Sequence, residues 1–189
     1  MMEAQMSMLK NAAFDEFVKS QQEPAHPEID WNKKRDEWLE RLDELYGRIH
    51  EFLTGYVDEG QIQIESQPID LYEENIGAYS AKQLTVKIGR KRVLFRPVGT
   101  LLIGSKGRVD VIGPRGTSVP MLLIDSKARK ASDLIRVQVG VDGKLPEVPK
   151  RGPGEVSWEW KMITRPPERR FIELNPETFY EMILEVANG

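Results

Sequence analysis

The feature that most constrains the fold is a run of apolar residues at helical spacing between Trp31 and Tyr56. Asp30 is placed to cap the first turn of a helix, and Gly60 is placed to end it. At about 1.5 Å per residue, a helix over 31–58 is roughly 42 Å long. The apolar stripe comprises Trp31, Trp38, Leu42, Leu45, Ile49, Phe52 and Tyr56, flanked by Leu39, Tyr46 and Leu53. It predicts either burial against the rest of the chain or a heptad-like seam that joins two copies.

After Gly60 the apolar period changes from helical to two, which is typical of half-buried strands. Gly89–Arg92 is interpreted as a four-residue hairpin connection between Ile88 and Val93, and Gly113–Thr117 as a second tight turn. The predicted strands cover 61–65, 84–88, 99–104, 107–112, 119–126, 134–139, 158–163 and 171–174.

A second helix start lies near the C-terminal end of the sequence. Asn175 is a suitable N-cap, Pro176 fits the first helical position, and Glu177 lies in the first turn. The fold class is therefore α+β, because helices flank strands without strand-helix-strand alternation. We expect a long N-terminal amphipathic helix, a strongly bent, mainly antiparallel sheet of about 7–9 short strands, and a C-terminal capping helix.

Domain boundaries and location follow from composition. Residues 1–29 are predicted to form a short helix and a linker, because the apolar face over 6–19 precedes Pro24 and Pro27. Residues 30–189 are predicted to form a single α+β domain. The longest apolar runs, 98–103 and 119–124, fall far below the roughly 20 residues of a membrane-spanning helix. With no cysteine and no secretory signal pattern, a soluble, cytoplasmic protein without a membrane partner is expected.

Charge is distributed unevenly along the chain. Residues 1–80 hold 7 Lys/Arg against 18 Asp/Glu, a net −11, whereas residues 81–151 hold 16 against 5, a net +11. Either the acidic helix neutralises the basic sheet, or the sheet presents a basic surface to an anionic partner such as nucleic acid. The candidate anion-binding residues are Arg90, Lys91, Arg92, Lys106, Arg108, Arg115, Lys127, Arg129 and Lys130.

Residues for catalysis are scarce. His26 lies in the predicted linker and His50 on the predicted helix, so a histidine-based triad or a transition-metal site has too few members. The glycines of 99–107 lack the Gly-Lys-Ser/Thr ending of a phosphate-binding loop. No cofactor is predicted, and the chain is interpreted as a binding or interaction domain without an identifiable catalytic site.

One short motif offers an alternative. Asp110, followed by Asp125-Ser126-Lys127 at the end of the next apolar strand, resembles the signature of the PD-(D/E)xK nuclease superfamily. The resemblance implies that Asp110 and Asp125 bind Mg²⁺, that Lys127 assists the attacking water, and that the nuclease is metal-dependent. It also implies a further acid, for which Glu37, Glu40 and Glu44 are available.

The predicted hairpin makes this alternative testable. A tight turn centred on position 115 pairs Asp110 with position 120, so five residues separate its partner from Asp125. That offset is roughly 16 Å along the strand at about 3.3 Å per residue. The sequence thus leaves three hypotheses: an anion-binding domain, a metal-dependent nuclease, and a homodimeric scaffold joined through the long helix.

Overall fold

A computed structural model describes residues 29–100, 104–134, 157–164 and 169–189. Nearly all of them belong to one compact unit, Trp31–Gly189. The helices are α1 (Trp31–Asp58) and α2 (Pro176–Asn188). The strands are β1 (Ile62–Glu73), β2 (Gly77–Ile88), β3 (Lys91–Gly99), β4 (Ser105–Ile112), β5 (Ser118–Asp125), β6 (Trp158–Ile163) and β7 (Phe171–Glu173), with a 3₁₀ turn at Ala131–Asp133.

The strands form an antiparallel meander in which each strand pairs with the next along the chain. Within the described ranges the sheet has seven strands in the order β1 to β7, and it is open, with β1 and β7 at its edges. The α+β class is confirmed, and the number of strands lies within the predicted range. The strong bend of the sheet stays a prediction. The predicted strand over 134–139 lies almost entirely outside the described residues.

Both helices pack on the same face of this sheet. The buried residues of α1 and α2 form one cluster with inward-facing residues of the strands, including Val86, Val93, Phe95, Val109 and Met121. The predicted stripe of α1 is therefore used within the chain, and its buried members are Trp38, Leu42, Leu45, Tyr46, Ile49 and Leu53. A homodimer through that stripe would have to expose this core.

Two glycines let the helices approach the sheet closely. A Cβ atom on Gly107 would lie 2.2 Å from the Trp38 ring, and one on Gly113 would lie 1.7 Å from the backbone oxygen of Val186. Such distances leave no room for a side chain. The absence of a side chain at these positions is thus a requirement of helix packing, in addition to any turn geometry.

The start of α2 agrees with the sequence. The Asn175 side chain accepts a hydrogen bond from the Thr178 backbone N–H at 3.0 Å, and the Thr178 hydroxyl accepts one from the Asn175 N–H at 3.1 Å. This reciprocal cap satisfies two N–H groups that a helix start leaves unpaired. Across the described residues, neither helix has the length and apolar character needed to cross a membrane.

The first hairpin is much longer than the sequence predicts. β1 and β2 each run for 12 residues and pair from Ile62–Ile88 to Glu73–Gly77. The connection between β2 and β3 is shorter than predicted, because Ile88 pairs with Lys91 and only Gly89 and Arg90 form the turn. The predicted strand over 99–104 is also misplaced at its start, since Gly99 ends β3.

Candidate functional site

The alternation of side chains along β3 and β4 divides the sheet into an inner and an outer face. Val93 and Phe95 lie in the core beneath the helices, so their neighbours Arg92, Leu94 and Arg96 point to the opposite side. We call this opposite side the outer surface, and it comprises Arg92, Leu94, Arg96, Arg108, Asp110, Ile112 and Pro120. The acidic helix α1 does not cover it, because α1 packs on the inner face.

Only part of the basic segment is neutralised by α1. Lys82 lies 3.0 Å from the Asp43 carboxylate, and Lys106 lies 3.8 Å from that of Glu37. The side chains of both ion pairs are partly exposed to solvent. Among the described ion pairs, α1 therefore neutralises these two lysines of the basic segment and no other residue of it.

Several other basic residues of β2, β3, β4 and the β4–β5 turn have partners within the sheet or at the end of α2. Lys87 pairs with Glu65, and Arg108 holds the two oxygens of Asp110 with N–O distances of 2.7 and 3.1 Å. The Lys91 ammonium contacts the Asn188 side chain. Arg115 approaches the Asn188 backbone oxygen at 3.5 Å. These contacts place Lys91 and Arg115 at the C-terminal end of α2.

Three arginines of this part of the chain are left with no ion pair or hydrogen bond to any described residue. Arg90 lies in the β2–β3 turn, and Arg92 and Arg96 follow on the outer side of β3. All three are exposed. We call Arg90, Arg92 and Arg96 the arginine row. Arg92 and Arg96 are four residues apart, about 13 Å at 3.3 Å per residue.

The row contains one residue that the sequence analysis missed. Arg96 pairs across the sheet with Asp110, and Arg108 lies diagonally opposite, about 7–8 Å away by the usual spacing of such pairs. The predictions favoured basic residues in turns, whereas Arg96 is in mid-strand. Arg96 could have been predicted to point outward, because it alternates with the apolar residues Val93 and Phe95.

The last three predicted basic residues follow β5 and lie apart from the row. The Arg129 guanidinium contacts Glu173 at 2.9 Å, and Lys127 is exposed. The backbone N–H groups of Arg129 and Lys130 donate to the Asp133 carboxylate at 2.9 and 3.1 Å. These two hydrogen bonds lower the pKa of Asp133 below its ordinary value.

The residues of the nuclease motif are not brought together. Asp110 pairs with Pro120, as predicted from the turn, so Asp125 is five residues away along β5. An odd offset also places the two carboxylates on opposite faces of the sheet. Asp125 accepts a hydrogen bond from the Lys127 backbone N–H at 2.9 Å. No group of three potential metal ligands occurs among the residues that the structure describes.

No protein-family model, curated protein or solved structure matches this chain.

Proposed function

We propose that this protein is a binding domain that holds the phosphate backbone of a nucleic acid against the outer surface. The observation that carries the proposal is the arginine row: Arg92 and Arg96 are exposed on the face opposite the helices, Arg90 is exposed in the adjoining turn, and none of them has a partner among the described residues. Guanidinium groups present several N–H donors in a planar fork that suits phosphate oxygens. A cytoplasmic location, as expected from the sequence, is part of this proposal.

The surroundings of the row favour backbone contacts over base recognition. Leu94, Ile112 and Pro120 lie between the charged residues and are half-buried, and none of the seven residues that define the outer surface is aromatic. Stacking of bases on aromatic rings is therefore unavailable on this surface. We expect binding that depends weakly on sequence and strongly on salt.

Asp110 limits the charge of the surface. Its carboxylate is already held by Arg108, so it neutralises that guanidinium and leaves Arg92 and Arg96 as the main phosphate donors. Each phosphate contact with a single strand contributes a slope of about −0.7 in log K against log salt. Replacing both arginines should therefore reduce the magnitude of the slope by about 1.4.

The test measures fluorescence anisotropy of labelled single-stranded DNA, RNA and duplex DNA between about 50 and 200 mM salt. The variant R92A/R96A should lose most of the binding and the predicted part of the salt slope. The matched control is K127A/K130A, which removes the same charge from exposed positions away from the row. Equal losses in both variants would show that net charge alone is responsible, and no binding by the unmodified protein would refute the proposal.

A further inference from the structure

All four tryptophans of the chain gather at one end of the inner face. Trp31 and Trp38 lie in the first two turns of α1, whereas Trp158 and Trp160 lie at the start of β6. The ring centroids of Trp38 and Trp160 are 6.0 Å apart. The Trp160 indole donates a hydrogen bond to the Arg41 backbone oxygen at 3.1 Å.

A cavity of about 750 Å³ opens beside these indoles. Its volume falls within the range of roughly 300–1,000 Å³ that is typical of small-molecule sites. The lining includes Trp31 and Trp38 as aromatic surface and the hydroxyl-bearing residues Thr100 and Ser105. Leu123 of β5 adds apolar surface. The cavity thus combines flat aromatic walls with a few polar groups, as ligand sites do.

The charged groups of the lining favour an anion. Lys34, Arg41 and Lys106 supply three cations against the carboxylates of Glu37 and Glu40. Lys106 is paired with Glu37 at 3.8 Å and Arg41 with Glu44 at 2.8 Å, so Lys34 is the cation of this lining that is left for an anionic ligand.

Two of the lysines also lie over indole rings. The Lys34 ammonium lies 4.7 Å from the centroid of Trp31, and the Lys106 ammonium lies 4.8 Å from that of Trp158. No carboxylate pairs with Lys34 among the described residues. The Lys34 and Lys106 ammonium groups therefore lie beside the indoles, where they repel a cationic ligand and attract an anionic one.

The Trp38 indole is held firmly at this wall. Its side chain is 1% exposed and packs over Gly107, but its N–H has no acceptor at hydrogen-bonding geometry. Burial raises the pKa of Tyr79 most, and the Glu73 carboxylate raises it further. The Trp38 indole lies close enough to the Tyr79 hydroxyl to offset part of this rise. This buried ring fixes the position of the cavity wall, and the half-buried Trp31 ring supplies the aromatic surface that a ligand can reach.

We propose that this cavity binds a flat aromatic molecule that carries a negative charge. The ring lies against Trp31, and the anionic group contacts Lys34 at the rim. The site lies on the inner side of the sheet and is independent of the outer surface, so the two proposals can fail separately.

The chain's own fluorescence provides the assay, because all four tryptophans lie at or next to the cavity. Adenosine monophosphate and benzoate, neither of which emits in the tryptophan band, are titrated as a phosphate and a carboxylate form of an aromatic anion, and calorimetry checks each titration. At least one of them should quench the fluorescence and bind. Adenosine and inorganic phosphate, which each lack half of the recognised chemistry, should bind at least about tenfold more weakly.

Two variants locate the binding site. Trp31→Leu keeps apolar bulk but removes the stacking surface, and Lys34→Gln removes the charge. Trp31→Leu should weaken binding by about fivefold or more, the lower end of base-aromatic stacking. Lys34→Gln should weaken it by about tenfold, the lower end for a hydrogen bond to a charged group. Tyr72→Ser, at a position 77% exposed on β1, and R92A/R96A should leave it unchanged.

Three results would overturn the proposal. They are the absence of a calorimetric signal with either aromatic anion, equal binding of adenosine, and binding that survives both cavity variants. If R92A/R96A abolishes nucleic-acid binding while the cavity still binds its probe, the two sites are distinct.

Discussion

Replacing Glu73 by alanine should destabilise the protein strongly, although the residue is a carboxylate at the end of a hairpin. Glu73 is 5% exposed. Its carboxylate accepts hydrogen bonds from the Thr100 backbone N–H at 2.9 Å, the Thr100 hydroxyl at 2.6 Å and the Tyr79 hydroxyl. It thereby ties the end of the long β1–β2 hairpin to the chain that leaves β3.

The magnitude follows from the number of donors and from the cost of burying the charge. Hydrogen bonds to a charged acceptor contribute about 1.5–3 kcal/mol each, so three contribute roughly 5–9 kcal/mol. Desolvating one carboxylate opposes them by several kcal/mol. The expected net loss in the free energy of unfolding is about 2–4 kcal/mol, since the substitution leaves the Tyr79 hydroxyl without an acceptor and lets Thr100 reach water.

Urea unfolding followed by tryptophan fluorescence measures this loss by linear extrapolation. The matched control is Glu74→Ala, the exposed neighbour in the turn that follows β1, which should change stability by less than about 0.5 kcal/mol. Tyr79→Phe removes one of the three donors and should fall between the two. The reasoning is refuted if Glu73→Ala and Glu74→Ala unfold at the same urea concentration.

Three further measurements test the packing of α2 on the sheet, an exposed position of α1, and the turn after β5. Gly113→Ala should lower the free energy of unfolding by about 1–3 kcal/mol, because its Cβ would lie 1.7 Å from the backbone oxygen of Val186 and α2 would have to move. Gly47→Ala, on an exposed helical position with nothing within 4 Å, should instead raise it by about 0.5–1 kcal/mol, and a loss there would contradict the argument. NMR titration of the Asp133 carboxyl should give a pKa below 3.8, and a pKa at or above it would contradict the two hydrogen bonds. Because the folded pKa is lowered, the stabilisation is present above the unfolded-state pKa and lost as pH falls through the folded value.

The elements with a strong local signal could be predicted from the sequence. The helix at 31–58 carries a continuous apolar stripe, and Asn175 with Pro176 and Glu177 marks a helix start. The turn at Gly113–Thr117 fixed the register of Asp110 with Pro120, since a tight hairpin leaves little freedom of pairing.

The parts of the structure that the sequence did not predict lack such a local pattern. The middle of β1, from Glu65 to Pro68, is exposed and has no apolar alternation, so its strand character comes from pairing with β2 and is invisible in the sequence. The cavity was missed for a similar reason. Trp31 and Trp158 are 127 positions apart, and only the fold of the meander brings their surroundings to one place.

The outer face of the sheet is covered at β5 and beyond, and this cover limits where a long anion can bind. A second apolar cluster of Leu122, Ile124, Ala128 and Phe171 covers the outer side of β5 and its neighbours. Lys161 lies fully buried there, and its ammonium donates to the backbone oxygens of Ser126 and Ala128 at 2.6 and 3.1 Å.

This lysine therefore holds the segment after β5 against the sheet and has no donor left exposed for a ligand. Lys127 and Lys130 belong to the covering segment, so they lie beyond the boundary of the open region, whereas Arg92 and Arg96 lie within it. A polymer held by the arginine row is accordingly expected to follow β3 and to stop short of the apolar cluster that begins at Leu122. The different effects proposed for R92A/R96A and K127A/K130A depend on this boundary.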